Sequence, residues 1–445
     1  MKIALVHPHS SRYHHDRVSQ NIISGIDEIE TFPNLALLSL ASYIPPEDEP
    51  VFIDEDRLTL EEKPFTYLEE DFDLVCLTAM NHQSPRAYEI ADHFRKRKIP
   101  TVIGGFHASA LPEEAGSHAL AVAIGEGEDI FPEILRDAKK GELKPIYRSG
   151  GNVDLATVPS PRMDLVPGID WYTKIPLFAT RGCSHSCSFC CLRQVYGPKF
   201  RKKPVENIVR EIKIVKELLP DPFISFADEN MLIDFSYSRE LARALIPLGI
   251  RWECYCDNSV YKDQELLSLL AKSGCEELII GFESVNPDSL EEACKWKREQ
   301  GEEYLKAIRT IQEHGIGVLA CFVVGFDHDD KNTFVQLRDF IKKAMPFELD
   351  AATLTPMPGT PLYNRLKKEG RILSEDWSRY SWFQVNFRPK NLTPEEITEG
   401  LKWLFNEYNS PEMKKARREY FSMLSPRFAT FHGARDLFKE NTENE

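Results

Sequence analysis

Apolar and polar residues alternate along the first 143 positions in the manner of an open α/β domain. Five short apolar runs predict buried strands, at 3–7, 51–54, 73–78, 101–103 and 121–124. The segment 34–44 predicts a helix that Pro45 and Pro46 stop, because proline cannot continue a helix. Strands that alternate with amphipathic helices predict a doubly wound sheet, which binds its ligands at the carboxyl ends of the strands.

A second set of alternating elements follows a proline-containing stretch. Residues 144–172 show little periodicity, and we interpret them as a linker. Six further strand candidates then occur, at 176–181, 222–227, 250–256, 276–283, 318–326 and 349–355. Helical stripes separate them, such as Ile208, Ile212 and Val215. Repeated β-α units of this length predict a partial (β/α)6 barrel whose site lies at the carboxyl ends of its strands.

The predicted organisation is therefore α/β with three regions and a linker. A Rossmann-like domain occupies 1–143, the linker 144–172, the partial barrel 173–370 and a helical carboxyl-terminal region 371–445. Aromatic residues are interspersed among the polar ones of the last region, and we expect its tail, FKENTENE, to be frayed.

Composition and charge narrow the class of protein. The net charge of −15 over 445 residues argues against nucleic-acid binding. No apolar run is long enough to cross a bilayer, and the short apolar start predicts a strand rather than a signal peptide. We therefore expect a cytoplasmic protein, in which the 10 cysteines are core thiols or metal ligands rather than disulfides.

Three cysteines stand close together directly after the first barrel strand candidate. Cys183, Cys187 and Cys190 could bind one [4Fe–4S] cubane from a single loop, and Gly182 allows the backbone a tight approach there. A cubane needs four ligands, so three thiolates leave one iron open for the amino and carboxylate groups of S-adenosylmethionine. The alternatives are a zinc site, which usually takes four protein ligands, and a set of buried thiols. Cys191 is poorly placed as a fourth ligand, because it is adjacent to Cys190.

The spacing C-x3-C-x2-C, with the aromatic Phe189 before the last cysteine, resembles the motif of the radical S-adenosylmethionine (SAM) superfamily. The resemblance covers about 176–366. It implies that Phe189 packs near the adenine of SAM and that residues 323–326 contact adenine as well. A turn after the sixth strand candidate, at 355–360, also resembles the superfamily.

The same resemblance implies roles for four polar residues at strand ends. Asp228, Glu229 and Asn230 match a polar motif that binds the amino group of SAM, and Glu283 matches a carboxylate that binds the ribose hydroxyls. Asp228 and Glu229 could instead cap the next helix. Glu283 closes the apolar strand LIIGFE, where a core strand without a function needs no carboxylate.

Residues 1–140 resemble the cobalamin-binding domain of cobalamin-dependent radical SAM enzymes, through FPNLALLSLASYI, LTAMNHQSPRAYEIAD, IGGFHASALPEEA and IGEGE. The resemblance implies that Gly104 and Gly105 let the backbone lie against the corrin or its nucleotide tail. The D-x-H-x-x-G motif of a cobalt-ligating histidine is missing, so no axial ligand is assigned. His7, His9, His82 and His107 sit at predicted strand ends without that context. The alternative is a domain that keeps the fold and has lost the cofactor.

These observations predict a radical SAM enzyme that methylates an unactivated carbon with the help of cobalamin, nearest to the hopanoid-methylase and lipid-modifying branch. Radical cyclisation, rearrangement or oxidation is the enzymatic alternative, and an iron–sulfur or zinc protein without activity is the other. The expected partners are a small-molecule or lipid-like substrate and an electron donor such as flavodoxin or ferredoxin. The basic run Lys199, Arg201, Lys202 and Lys203 could contact an anionic substrate or a membrane surface, or lie in solvent.

Overall fold

The computed structural model describes residues 1–10, 30–432 and 435–438. The described residues form two compact units. The first contains 1–10, 31–222 and 356–381, and the second contains 223–355 together with the carboxyl-terminal residues from 382 onward. Among the described residues, no helix has both the length and the apolar character that a bilayer span requires.

A six-stranded parallel sheet forms the centre of the first unit. Its strands are β1 (Lys2–His7), β2 (Glu49–Asp54), β3 (Leu74–Thr78), β4 (Thr101–Gly104), β5 (Ala121–Ile124) and β6 (Ile146–Arg148). The strand order is β2-β1-β3-β4-β5-β6. Strand β6 lies inside the stretch that we interpreted as a linker, and it extends the sheet beside β5. Its three residues are too few to produce a visible apolar pattern.

Helices pack against this sheet through their apolar stripes. The helices of the first unit are Leu35–Ala41, Glu55–Leu60, Ser84–Lys96, Phe106–Ala110, Pro112–His118, Phe131–Lys140, Leu192–Tyr196, Val205–Leu218 and Pro361–Lys368. The first begins at Asn34, whose side chain accepts a hydrogen bond from the Leu37 N–H, and it ends before Pro45 as predicted. The helix Ser84–Lys96 buries Ala87, Ile90 and Phe94 in the core.

All six strand candidates of the second half are strands. The first of them divides into β7 (Ile175–Leu177) and β8 (Thr180–Arg181), and β8 pairs antiparallel with β9 (Arg201–Lys202). The other five are β10 (Phe223–Phe226), β11 (Arg251–Cys256), β12 (Cys275–Glu283), β13 (Gly317–Val324) and β14 (Glu348–Thr353). These five are parallel in the second unit, in the order β14-β13-β12-β11-β10. The predicted α/β class with parallel sheets is confirmed.

Helices cover one face of the five strands of the second unit. They are Phe235–Leu245, Gln264–Lys272, Pro287–Ala293, Lys295–Gln300, Tyr304–Glu313 and Lys331–Ala344, followed by Pro394–Tyr408, Pro411–Leu424 and Arg435–Phe438. The carboxyl-terminal region is helical as expected. Its aromatic residues form a small core of their own, in which Phe421, Phe428 and Phe431 surround Phe347. The tail that we expected to be frayed lies outside the described residues.

Candidate functional site

The three cysteines lie on one loop between two short paired strands. We call residues 182–200, between β8 and β9, the cysteine loop. Cys183, Cys187 and Cys190 are reduced cysteines and are partly exposed. Cys191 is partly exposed as well, but desolvation raises the pKa of its thiol to about 12, so this thiol holds its proton. Three accessible thiols beside a protonated one fit a cluster with three cysteine ligands.

The backbone of the cysteine loop approaches other segments closely. Gly182 has a φ of 85°, and a Cβ atom on it would lie 2.3 Å from the carbonyl oxygen of Lys199, so only glycine fits there. The turn after the sixth strand candidate contacts the same loop. The Leu362 N–H donates to the Ser188 carbonyl at 2.9 Å, and Gln194 Nε2 donates to the Pro358 carbonyl at 3.0 Å. The loop is therefore shaped by its own unit before any cluster binds.

Buried ion pairs flank both ends of the cysteine loop. Arg181 precedes the loop, Arg201 follows it, and both donate to Glu126 at the end of β5. Arg181 also donates to Glu128 at 2.5 Å. Burial by itself would raise the pKa of Glu128, but the charge and hydrogen bond of Arg181 hold it below its usual value.

The basic run around residue 201 is divided between the interior and the surface. Arg201 is buried against Glu126, and the buried Lys203 donates to both carboxylate oxygens of Glu211 at 2.9 Å. Lys199 and Lys202 are exposed. The run therefore does not form one basic patch of four residues, because the short β9 turns alternate side chains to opposite sides.

The carboxyl edge of the first sheet carries the predicted cobalamin-facing glycines. Gly105 has a φ of 94°, and a Cβ on it would lie 2.7 Å from Thr78 Oγ1 and 2.9 Å from the backbone of Ala79. A Cβ on Gly104 would meet the Ala123 Cβ at 3.5 Å and the Ala123 carbonyl oxygen at 3.6 Å, which are ordinary van der Waals distances. The glycine requirement at position 105 thus comes from contact with the neighbouring strand end, and it brings the loops after β3 and β4 together.

Histidines at this edge are held by neighbouring side chains. The buried His107 has Nδ1 3.0 Å from Asn81 Nδ2 and Nε2 2.8 Å from Tyr88 Oη. The Glu114 carboxylate lies 3.3 Å from the same Nε2 and also accepts from the indole N–H of Trp377. Both ring nitrogens of His107 thus have protein partners, and neither is available to ligate cobalt without a rearrangement.

His7, at the end of β1, belongs to a second group of side chains at the same edge. Its ligating atoms and those of Asp54 and Asp56 lie within 4.8 Å of one another, close enough to hold a cation. Asp54, however, already caps the helix Glu55–Leu60 and accepts a hydrogen bond from Tyr172 Oη at 2.8 Å. The other ring nitrogen of His7 lies 2.8 Å from Gln83 Nε2. The group is therefore a hydrogen-bonded cluster that joins the ends of β1 and β2.

The polar segment after β10 is placed at the carboxyl edge of the second unit's sheet. Asp228 and Asn230 are buried. Asn230 bonds reciprocally with Asp257, its side chain donating to Asp257 Oδ2 at 2.8 Å and accepting from the Asp257 N–H at 3.0 Å. The next helix is capped by Asp234, so the alternative that Asp228 or Glu229 caps it is wrong. The segment instead ties the ends of β10 and β11 together.

Glu283 ends β12 in a strained conformation beside a lysine. Its φ is 65°, and the register between β12 and β13 shifts at this point. A positive φ in a residue other than glycine is costly and is concentrated at functional positions. Its Oε1 lies 3.2 Å from Nζ of the buried Lys297, which also donates to the Gly281 carbonyl. The contact with Lys297 therefore orients the carboxylate.

One face of the second unit's sheet is not covered by the helices of that unit. Phe282 and Phe322 point to the helical side, where they pack on Tyr304 and Phe340. The alternate positions of β13 are only partly buried and face the other way. We call this the open face. The strand register aligns on it the apolar Ile279, Leu319 and Val323 together with Tyr255, Cys321, Asp350 and the carboxylates of Glu253, Glu277 and Glu348.

The loop after β13 is fastened by a buried carboxylate. Asp329 accepts from the Gly325 and Phe326 N–H groups at 2.8 and 2.9 Å and from Ser289 Oγ at 2.7 Å. Burial raises the pKa of Asp329 to about 6, although these hydrogen bonds oppose the shift. This loop includes the residues that the radical SAM resemblance places against adenine.

Sequence reasoning missed the partners of several of these residues. Lys297, Asp257 and Asp329 carry no motif, and only the fold brings them to the strand ends. Glu126 had a signal, since a carboxylate directly after a buried strand needs a partner. The matching Arg181 stands 55 residues later, so the pair could not be assigned from the sequence.

Three family descriptions match the chain. The Radical SAM superfamily matches residues 177–341, and the B12 binding domain matches residues 50–135. A domain of unknown function, DUF4070, matches residues 360–435. The first two descriptions confirm the predicted use of S-adenosylmethionine and cobalamin, and a [4Fe–4S] cluster follows from the radical SAM match.

Known methyltransferases resemble most of the chain. Bacteriochlorophyllide d C-12(1)-methyltransferase from Chlorobaculum tepidum is 31% identical over 356 residues, which cover 78% of this chain and 77% of that protein. Hopanoid C-2 methylase from Rhodopseudomonas palustris is 25% identical over 365 residues, covering 79% of this chain and 67% of that protein. The identity to the first relative extends over both predicted domains.

Solved structures share the fold. TsrM from Kitasatospora setae, a radical S-adenosylmethionine methyltransferase, has a TM-score of 0.67 at 16% identity, covering 96% of this chain and 92% of TsrM. The cobalamin-dependent radical enzyme OxsB has a TM-score of 0.68 at 16% identity, covering 98% of this chain and 72% of OxsB. Together with the cysteine loop and the methyltransferase relatives, these matches show that the chain belongs to the cobalamin-dependent radical SAM methyltransferases.

Proposed function

We propose that this protein methylates an unactivated carbon of a small molecule that has a large apolar body. The observation that supports the apolar body is the apolar group Ile279, Leu319 and Val323 on the open face, beside which the strand register also aligns the carboxylates of Glu253, Glu277 and Glu348. An apolar lining favours an apolar ligand, and a few polar groups orient it. Tyr255 and Asp350 would supply such groups at the borders of the face.

The names of the relatives point to the same class of substrate. One relative is named for bacteriochlorophyllide d and another for hopanoids, both large molecules built of several rings. We therefore infer a polycyclic, predominantly apolar substrate with a small polar part.

The cysteine loop and the strand ends have separate tasks in this proposal. Cys183, Cys187 and Cys190 would hold the iron–sulfur cluster, with Phe189 beside SAM. When bound, the cluster supplies the electron that splits SAM into a carbon radical and methionine, and cobalamin supplies the methyl group. Glu283 would bind the ribose hydroxyls as a hydrogen-bond acceptor, with its carboxylate oriented by Lys297. Because a radical would react with anything nearby, positioning and exclusion of water are the main contributions of the protein.

The buried strand-end segment would recognise the amino group of SAM. Asp228 and Asn230 are buried, and the reciprocal bonds between Asn230 and Asp257 fix the segment. A buried acceptor that is already oriented loses little conformational entropy when it binds an ammonium group.

We further infer a reducing compartment, the cytoplasm, and a one-electron donor such as flavodoxin or ferredoxin. All 10 cysteines are in the reduced form, which fits a reducing compartment. The exposed Lys199 and Lys202 belong to the cysteine loop and the strand after it, and their charges would attract an acidic electron donor. The same two charges would serve a peripheral contact with anionic lipid.

The decisive experiment is an anaerobic turnover assay. Protein loaded with iron, sulfide and hydroxocobalamin is mixed with reductant, SAM and either bacteriochlorophyllide d or a hopanoid. We expect 5′-deoxyadenosine, S-adenosylhomocysteine and a product that is one methyl group heavier, all detected by mass spectrometry. Release of 5′-deoxyadenosine alone, with a rearranged or cyclised product, would contradict methyl transfer. A protein that releases neither nucleoside product would contradict catalysis altogether.

A further inference from the structure

Two arginines stand at directly opposite positions at the base of the cysteine loop. Arg181 ends β8 and Arg201 begins β9, and these residues are paired in the antiparallel register of the two strands. The 19 residues between them include all three predicted cluster ligands. The geometry at this pair therefore sets how far apart the two ends of the cysteine loop lie.

One carboxylate contacts both arginines. Glu126 Oε1 accepts from Arg181 Nη1 at 3.0 Å and from Arg201 Nη1 at 3.0 Å, and Glu126 Oε2 accepts from Arg201 Nη1 at 2.8 Å. Glu128 binds Arg181 alone. We call Glu126, Glu128, Arg181 and Arg201 the neck network. Its side chains are almost excluded from solvent, with exposed fractions of 0%, 7%, 8% and 8% in that order.

Glu126 is itself held in place from the first sheet. It follows β5 after Gly125, which has a φ of 87°, and its Oε2 accepts from the Val153 N–H at 3.3 Å. Arg201 donates to the Val153 carbonyl at 2.9 Å as well. The anchoring atoms thus belong to the unit's cobalamin-binding domain and to the segment that follows it.

Charge balance explains why the neck network depends on Glu126 more than on its other members. Two guanidiniums and two carboxylates cancel within the neck network. Without Glu126, two buried like charges would face each other at paired positions, with only Glu128 left to offset them. Removal of one partner from a buried ion pair is strongly destabilising, because it leaves an uncompensated charge in a medium of low dielectric constant.

We propose that Glu126 is a positioning residue for the iron–sulfur site, which holds the two ends of the cysteine loop together by binding Arg181 and Arg201 at once. The spacing of the three thiols then depends on a side chain of the cobalamin-binding domain. This inference concerns how the cluster site is assembled, and it does not depend on which substrate is methylated.

The first test uses protein without cofactors and limited digestion with trypsin. Arg193 is an exposed cleavage position inside the cysteine loop, and so is Lys199. We expect Glu126→Gln to accelerate cleavage after these residues on the order of tenfold relative to the wild type. The control is Asp48→Asn, which replaces another buried carboxylate, 3% exposed, that pairs with the amino terminus and with the more exposed Lys139 before β2. Equal acceleration in both variants, or none in Glu126→Gln, would overturn the proposal.

A double variant tests the electrostatic reason. Arg201→Met removes one of the two facing charges, so Glu126→Gln combined with Arg201→Met should be cleaved more slowly than Glu126→Gln alone. If the double variant is cleaved as fast or faster, repulsion between the arginines is not the cause. Should Glu126→Gln fail to fold, Glu128→Gln provides the test, with an expected acceleration of about threefold because Arg181 keeps its bond to Glu126.

A third readout follows the cluster directly. In protein loaded with iron and sulfide, release of iron to a chelator should accelerate about tenfold in Glu126→Gln and remain at the wild-type rate in Asp48→Asn. The electron paramagnetic resonance spectrum of the reduced cluster should change in the same variant only. An unchanged release rate and spectrum would show that the neck network has no influence on the cluster.

Discussion

The carboxyl edges of the two sheets are constructed differently. In the first unit, the polar side chains at the strand ends bind one another, as His107 does with Asn81 and Tyr88. In the second unit, Asn230 and Asp257 also bind each other, but the end of β12 carries Glu283 on a strained backbone, held by Lys297. At the first edge the polar groups are used in hydrogen bonds to one another, and at the second edge Glu283 presents an oriented carboxylate.

The difference matches what each edge has to bind. A corrin is a large, rigid ring that a shaped surface can hold. Both ring nitrogens of His107 have protein partners, so this histidine is not offered as a cobalt ligand. SAM is small and charged, and its hydroxyl and amino groups require individual acceptors. We therefore expect substitutions at the first edge to act through shape and folding, and those at the second to act through affinity for SAM.

The largest effect on activity is expected at the cysteine loop, which carries the three proposed ligands of the iron–sulfur cluster. Cys187→Ala removes one of three cluster ligands, so bound iron and 5′-deoxyadenosine production should fall to background. Cys191→Ala is the matched control, because the neighbouring thiol is desolvated and protonated. Iron analysis and chromatography of the nucleoside products measure both. Retention of the cluster in Cys187→Ala would refute the assignment of the ligands.

Glu283→Gln should weaken SAM binding by about 10- to 100-fold, because a charged acceptor for the ribose hydroxyls becomes neutral. Calorimetric titration of cluster-loaded protein with SAM measures the change. Glu396→Gln, on a partly exposed helix start of the same unit, is the control and should leave the affinity unaltered. If the two variants bind SAM equally well, Glu283 does not contact the cofactor.

The two adjacent glycines of the first unit should differ in how much stability a change to alanine costs. In Gly105→Ala, the new Cβ would lie less than 3 Å from Thr78 and Ala79, and alanine would have to adopt a positive φ. This variant should therefore lose about 2 kcal/mol or more of unfolding free energy. Gly104→Ala should cost less than about 1 kcal/mol, because its Cβ has room. Denaturant unfolding and the cobalamin absorbance of the loaded protein report the two effects. A similar cost at both positions would contradict the packing argument.

The smallest effect should be the pH dependence caused by Asp329. Its pKa in the folded protein, about 6, is above the ordinary value of 3.8. The folded state therefore binds the proton more tightly, and the stabilisation is present below about pH 4 and is lost as the pH rises through 6. The upper limit of the change is about 3 kcal/mol.

Asp329→Asn isolates this contribution, because asparagine cannot titrate. As the pH rises from 4 to 6, the unfolding free energy of the wild type should fall relative to that of this variant. The difference between the two should stay constant from pH 7 to 8. A difference that is independent of pH from 4 to 6 would show that Asp329 keeps an ordinary pKa.

Much of the fold could be predicted because its signals are local. Buried parallel strands read as continuous apolar runs, so every strand candidate was confirmed within a few residues. The exceptions were short. Strand β6 has three residues, and the candidate at 176–181 divides into two strands, since a run of that size cannot show where the chain bends.

The cysteine motif and the terminal carboxylate of LIIGFE were visible in the sequence because their chemistry depends on spacing along the chain. The sequence by itself determined the two parallel α/β sheets, the loop of three thiols and the family. Only the tertiary structure decided that Arg181 and Arg201 share Glu126, that Lys297 pairs with Glu283, and that His107 is occupied. Such pairs depend on which strand ends come together in space. The sequence around a charged residue does not identify a partner that is distant along the chain.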